Sequence, residues 1–522
     1  MESSDKENLV KAGLKGESAE RTVFQKIRET GAHTIIYGIG SALQVLLGFL
    51  LIPIYTKYYE ASTYGVFALL CMSAAIVGAF FGFGGSNALS RSYYDYPDHK
   101  SRRKAVDTAF FIAFAGGFLQ VVFGFLFGGW LSERLFHTPE YKPHLVIAFS
   151  AQAFAFINTL FVVLLRFERR SKLVIMMSAV SVVTGAAFIL TFLIGLKLGV
   201  LAPILGHCVT ELLLLICYAI LCRGRFGVGF NCKEAVLQLR FGFSYVVMAM
   251  ATYSLDWIDR LILGGNYSLR EVGIYAFGCK LGAVIQAAFV NPFGLIWTPV
   301  KTQYHGDSNA REFYKTMLTY YFLFGAMTVI VIGVFATEIL HVIAQRPEYY
   351  EAASVLALIA GSYVLNGALN IVDVGVYLNR RVIVTAFGIC LAVVLNFGLN
   401  LVAIPRWGYQ GAAVVRMATF SFFVVFVFLV SQRFYRLDVE WGRLSVIGVV
   451  TVVAVGCTSK VGITDLTYLL GFKVALIVGL MIAGYLLFLT NAERDVLRTK
   501  LCDGLTLFGL RRRSAMEASM KR

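Results

Sequence analysis

The sequence predicts an all-α integral membrane protein of about fourteen transmembrane helices, and three observations lead there. About fourteen apolar runs approach the roughly twenty residues that span a bilayer as a helix. Hydrophobic residues make up 58% of the 522 and charged residues only 15%, with a mean hydropathy of +0.71. Soluble domains carry about 25% charged residues. Finally, the 47 Lys and Arg residues crowd into alternate loops.

The predicted spans are 34–52, 64–85, 106–131, 145–165, 173–195, 200–222, 243–264, 273–298, 317–340, 352–374, 383–404, 410–431, 444–458 and 467–490, the thirteenth being short. Each is read as a helix because the hydrocarbon core offers no water to an unpaired backbone group. With the N-terminus in the cytoplasm, cytoplasmic segments hold 35 of the basic residues and outer loops hold 9, among them Lys473. Three lie within spans: Arg260, Lys280 and Arg416. This positive-inside asymmetry places both termini in the cytoplasm of a multi-pass inner-membrane protein and supports an even number of spans. The net charge of +16 then reflects orientation and attraction to anionic lipid rather than nucleic-acid binding. No signal peptide is visible, and Arg21–Glu29 reads as a solvated tail or a short interfacial helix. The nine cysteines show no CxxC pairing and read as reduced packing residues, so no metal or other cofactor is expected.

An internal echo runs at an offset of 208 to 211 residues. Tyr64-Gly65-Val66-Phe67-Ala68 is answered by Val272-Gly273-Ile274-Tyr275-Ala276, Phe167-Glu168-Arg169-Arg170 by Leu378-Asn379-Arg380-Arg381, and Leu198-Gly199-Val200 by Trp407-Gly408-Tyr409. The matches fall at the same ends of corresponding spans, which indicates duplication of a six-helix unit. An even number of helices makes the two units parallel, related by an axis along the membrane normal. The predicted organisation is a cytoplasmic segment 1–33, an N-lobe 34–222, a linker 223–242, a C-lobe 243–431, two additional helices within 444–490 and a basic tail 491–522.

Ionisable groups at membrane depth are costly and become functional candidates by default. The seventh span carries Asp256, Asp259 and Arg260, and Asp256 and Arg260 share a helix face at i and i+4. Folding the short connection near residue 270 brings Arg260 level with Lys280. Two acids and two bases there form either a neutral structural network or a site with one cation free for an anionic substrate. Arg416 has no acid within four residues, and its partner is either another helix or substrate. Glu211 and His207 share a face of the sixth span, where they carry a coupling proton or a helix-to-helix hydrogen bond. Asn366, Asn370 and Asp373 form one polar stripe and Asn396 and Asn400 another, suited to interhelical bonding or to a hydrated wall that recognises hydroxyls. Arg91 sits at the inner end of the second span, to meet phosphate or to snorkel. Pro53 is expected to end the first helix, and Pro292 and Pro299 to bend the eighth.

No nucleotide-phosphate cradle, HExxH motif or clustered Ser, His and Asp is present, and no outer loop exceeds about fifteen residues, so direct ATP drive and loop-borne enzymology are disfavoured.

The stretch Leu51-Ile52-Pro53-Ile54-Tyr55-Thr56-Lys57-Tyr58-Tyr59 leading into Tyr64-Gly65-Val66-Phe67 resembles the start of Wzx-type polysaccharide flippases, members of the multidrug/oligosaccharidyl-lipid/polysaccharide (MOP) exporter superfamily. Leu165-Arg166-Phe167-Glu168-Arg169, Asp259-Arg260-Leu261-Ile262-Leu263 and Val272–Ala276 followed by Lys280-Leu281 are similar as well. The resemblance covers spans 1 to 12. It implies two six-helix lobes around a partly cationic cavity and translocation of an undecaprenyl-diphosphate-linked oligosaccharide for O-antigen, capsule or exopolysaccharide assembly. It further implies no enzymatic activity, partners limited to that lipid, the membrane and other polysaccharide-assembly proteins such as a polymerase, and an H+ or Na+ gradient as the drive. By motif position it reaches Asp259, Arg260 and Lys280. A cation-coupled drug exporter of the same superfamily and a membrane glycosyltransferase or polymerase are the alternatives. Two additional spans and lumenal cations argue against the first, and the absence of loop-borne acids against the second.

Overall fold

The computed structural model describes residues 47–96, 98–227, 229–304, 309–379, 381–458 and 466–488. Among them the regular elements are all helices. The expected helix at 21–29, most of the first span, Lys460 and the basic tail lie outside the described residues.

The chain enters at α1 (Ile52–Tyr58). The helical residues 47–50 stop at Leu51, and Pro53 stands in the first turn of the next segment, where a missing N–H costs nothing, so the proline marks the junction between the two. Next come α2 (Ala61–Phe81) and α3 (Gly85–Asp95), parted by a break at which Phe83 and Gly84 take φ of 50° and 61°. The N-lobe continues through α4 (His99–Phe136), α5 (Lys142–Phe167), α6 (Ser171–Leu190) and α7 (Leu201–Leu221). Asp98 starts α4 by accepting the Ser101 amide at 2.8 Å.

The C-lobe begins with α8 (Cys232–Asn266), capped by Asn231, and α9 (Leu269–Ile285), capped by Ser268. A single π turn, Gln286–Val290, then leads into α10 (Asn291–Gln303). The Asn291 amide reaches back five residues to the Gln286 carbonyl, so the widened turn absorbs Pro292 without a full break. The expected bend is thus a π turn. The lobe ends with α11 (Ala310–Val334), α12 (Ala336–Ile343), α13 (Ala353–Val372), α14 (Val374–Leu378) and α15 (Val382–Ser431). The two remaining helices are α16 (Trp441–Thr458) and α17 (Leu466–Phe488).

Ten stretches among the described residues are long and apolar enough to cross a membrane. The last, Ile383–Ser431, has 49 residues and contains two predicted spans, because Gly408 (φ 54°, ψ −139°) folds α15 back on itself. Asn396 on one arm donates to Thr419 on the other at 3.2 Å, which makes the arms antiparallel. Gly199, 209 residues earlier, also sits at positive φ in the turn before α7. The α16 and α17 helices lie against α11, and Lys473 of α17 is buried on Glu338 of α12 at 2.5 Å. Lys473 therefore belongs inside the bundle and not in the outer loop predicted for it.

The repeated glycines meet each other. A Cβ on Gly65 would stand 2.0 Å from the Leu269 carbonyl oxygen, and one on Gly273 would stand 1.7 Å from that of Ala61. These residues of α2 and α9, 208 positions apart, form a tight backbone crossing between the lobes. Gly273→Ala is expected to force the helices apart at about 1–3 kcal/mol. Thermal unfolding in detergent checks this against Gly265→Ala, whose added methyl meets nothing within 4 Å. Equal melting of the two variants would refute the tight crossing.

Candidate functional site

The acids and bases of α8 are pulled into a network by helices distant in sequence. Arg416, only 1% exposed, donates to Asp256 Oδ1 at 2.7 Å and to Ser362 Oγ at 3.0 Å, and lies over the rings of Tyr363 and Phe420. Asp256 is therefore the counter-ion of Arg416, and the Asp256–Arg260 pairing that the i, i+4 spacing suggested is not made. Asp259 is fully buried and accepts from Tyr275 Oη at 2.7 Å and from Asn400 Nδ2 at 2.8 Å. Asn400 donates also to Asn396 at 3.1 Å, and Asn396 to Thr419. The Asn396–Asn400 stripe thus ties α8 to both arms of α15 and does not line an opening. A buried polar group is retained cheaply only when it is hydrogen-bonded in this way.

Other candidates find similar anchors. Glu211 accepts from Asn158 Nδ2 at 2.8 Å, while His207 stands 3.8 Å away and is half exposed. Asn370 turns its amide to the Gly367 carbonyl of its own helix, and Asn366 is half-buried. Asp373 holds Lys301, which is buried beneath the Tyr377 ring, at 2.9 Å. Arg91 lies on α3 over the Phe241 ring of α8, 3.8 Å from Asp95, at a contact between the lobes.

Of the three cations predicted within spans, Lys280 and Arg260 make no ion pair among the described residues, whereas Arg416 does. Lys280 is exposed, with its ammonium beside Gly48. It lines a cavity of about 230 Å³ together with Phe49, Ile52, Ala283, Gln286 and Asn291. An exposed ammonium in the middle of an apolar helix demands water or an anion, and the amides of Gln286 and Asn291 sit where the π turn opens the helix. Arg260, 7% exposed, has Met72 Sδ of α2 at 2.7 Å, a hydrogen bond with Cys279, the Tyr275 ring at 5.9 Å, and among the described residues no partner for its Nε.

With that geometry in place, residues 30–305, more than half of the chain, match the polysaccharide biosynthesis protein family. The chain belongs to that family. No curated protein sequence matches it. Among solved structures it is similar to the lipid II flippase MurJ in an inward-closed conformation, at 14% identity and a TM-score of 0.69, covering 89% of this chain and 100% of that one. It also resembles an inward-facing multidrug-resistance MATE transporter of the MOP superfamily (13% identity, TM-score 0.59, 77% and 95% coverage). The MATE transporter VcmN of Vibrio cholerae is similar too (14% identity, TM-score 0.54, 78% and 96% coverage). The chain shares the fold of these transporters, two helical lobes with two further helices.

In this polysaccharide biosynthesis protein the lobes touch at both ends. At one end Thr56 Oγ1 accepts the Gln345 amide at 3.2 Å, the Ala61 amide donates to Glu348 at 3.1 Å, and Tyr349 Oη donates to the Tyr59 carbonyl at 3.1 Å. Arg346 adds an ion pair to Glu60 at 3.5 Å, and Tyr64 packs edge-on against Phe277 and Tyr349. At the other end α8 docks on α3 and α4: Tyr96 Oη donates to Glu234 at 2.6 Å and Gln238 to the Ala105 carbonyl at 3.0 Å. Sequence reasoning missed Asn158, Lys301, Tyr275, Gln286 and the residues that join the lobes, among them Gln345, Glu348, Tyr349 and Glu234. For Gln286 a signal existed, since Lys280, Ala283, Ala287 and Asn291 recur at helical spacing.

Proposed function

We propose that this protein is a transporter, not an enzyme. It carries a polyprenyl-diphosphate-linked oligosaccharide across the cytoplasmic membrane by alternating access, for polysaccharide assembly. The observation that carries the reading is Lys280: an accessible ammonium without a carboxylate among the described residues, in a cavity beside the π turn that follows α9, in a protein of the polysaccharide biosynthesis family. A diphosphate crossing the bilayer loses its hydration, and a fixed cation in a low-dielectric site offsets that loss far better than in water. The amides of Gln286 and Asn291 replace water around sugar hydroxyls, while the polyprenyl tail stays in lipid. The excess of basic residues in alternate loops supports cytoplasmic termini. An H+ or Na+ gradient is the drive consistent with a sequence that carries no nucleotide-phosphate cradle.

The test is translocation of a fluorescent polyprenyl-diphosphate oligosaccharide in proteoliposomes, read by protection from an impermeant quencher. Movement above protein-free vesicles is expected. Movement at the protein-free level, with efflux of a cationic dye instead, would overturn the reading in favour of a drug exporter. Alternating access also requires the Thr56–Gln345 contact to part. A disulfide between Thr56→Cys and Gln345→Cys is expected to stop translocation until reduced, and undiminished transport in the cross-linked protein would exclude parting at this end.

A further inference from the structure

Arg260 is a buried guanidinium that makes no ion pair among the described residues, although the acids of α8 stand near it and Cys279 shares a hydrogen bond with it. Its neighbour in sequence, Asp259, turns its carboxylate to Tyr275 and Asn400, and Asp256 is taken by Arg416. What fills the space before Arg260 is Met72, a residue of the opposite lobe. A thioether is a weak acceptor, so it covers the cation without satisfying it, and Nε stays unpartnered at 7% exposure. The Lys280 ammonium lies against Gly48, an N-lobe residue ahead of α1. The two cations of the C-lobe that lack an ion pair among the described residues therefore both face the N-lobe, Arg260 at Met72 and Lys280 at Gly48.

We propose that Arg260 is a masked second anion ligand, covered by Met72 while the lobes are together and exposed when α2 withdraws. This rests on the transport reading above and deepens it. Lys280 takes one phosphate at any time, and Arg260 takes the second only in the parted state. A diphosphate then favours parting and a monophosphate does not, because a ligand shifts a conformational equilibrium only by its differential affinity for the two states. Guanidinium suits the task, since its planar fork binds phosphate oxygens in pairs.

The experiment uses the full chain in phosphatidylcholine nanodiscs, with polyprenyl diphosphate and polyprenyl monophosphate as the probes. Wild type is expected to bind the diphosphate about tenfold more tightly or better. Arg260→Gln should lose that preference and keep its monophosphate affinity, whereas Lys280→Gln should weaken both. Met72→Ala, which removes the cover and leaves the cation, should raise diphosphate affinity severalfold. Arg260→Gln with an unchanged ratio, or Met72→Ala with unchanged affinity, would overturn the masked ligand and leave the transport reading standing. Wild type that binds neither lipid would overturn both. A melting curve identifies an Arg260→Gln protein that fails to fold, and in that case the Met72→Ala result decides.

Discussion

Lys280→Gln should abolish most transport while leaving the fold intact. The side chain is exposed and no carboxylate among the described residues holds it, so its removal strands no buried partner there. A charge-assisted hydrogen bond contributes about 1.5–3 kcal/mol, which is roughly tenfold to a hundredfold in affinity. The expected outcome is a translocation rate reduced by about ten- to a hundredfold with an unchanged melting temperature. Lys280→Arg, which keeps the charge but changes its geometry, should retain part of the activity. If Lys280→Gln transports at the wild-type rate, the ammonium holds no cargo and the assignment of the cavity fails. If it instead melts early, Lys280 has a structural partner in the protein.

Asp256→Ala should be the most destabilising single change in the charge network. It leaves the Arg416 guanidinium at 1% exposure with only Ser362 Oγ as an acceptor, and Nη1 of that group already lacks one. Removing one partner of a buried ion pair costs about 3–5 kcal/mol. The lower end applies here, because the Asp256 side chain is 41% exposed and water reaches the site. That exposure also creates an asymmetry. Arg416→Met removes the buried charge and leaves an aspartate that water can solvate, so it should cost less than Asp256→Ala. The double variant Asp256→Ala with Arg416→Met should recover most of the loss, since replacing both partners is often near neutral. Denaturant titration in mixed micelles separates these outcomes. A double variant no more stable than Asp256→Ala would show that the pair does not act as a unit.

Spans of the right length were readable because bilayer thickness sets them, and α2, α4, α5 and α7 overlap the predicted positions. The glycine echo at 65 and 273 was legible too, although its meaning was not, because no periodicity shows that two glycines 208 residues apart cross each other. The charge network was legible only as a list of members. Spacing on one helix indicates which residues can be neighbours, and Asp256 and Arg260 qualified. Asp256 nevertheless pairs across 160 residues with Arg416. The amides of Asn396 and Asn400 could equally have faced water, and the rotation of α15 turned them to Asp259. Lys301 illustrates the same gap. It sits at the end of α10 among residues that read as a basic loop, yet packing buries it on Asp373.

Composition and hydropathy by themselves determined that this is a polytopic membrane protein with repeated halves, because a bilayer imposes one length and one hydrogen-bonding rule on every crossing. The motifs pointed to the family that residues 30–305 match. Only tertiary structure decided which of three intramembrane cations is locked, which is covered and which is open. That follows from helix rotation and from contact between lobes, neither of which leaves a periodic mark in a single chain.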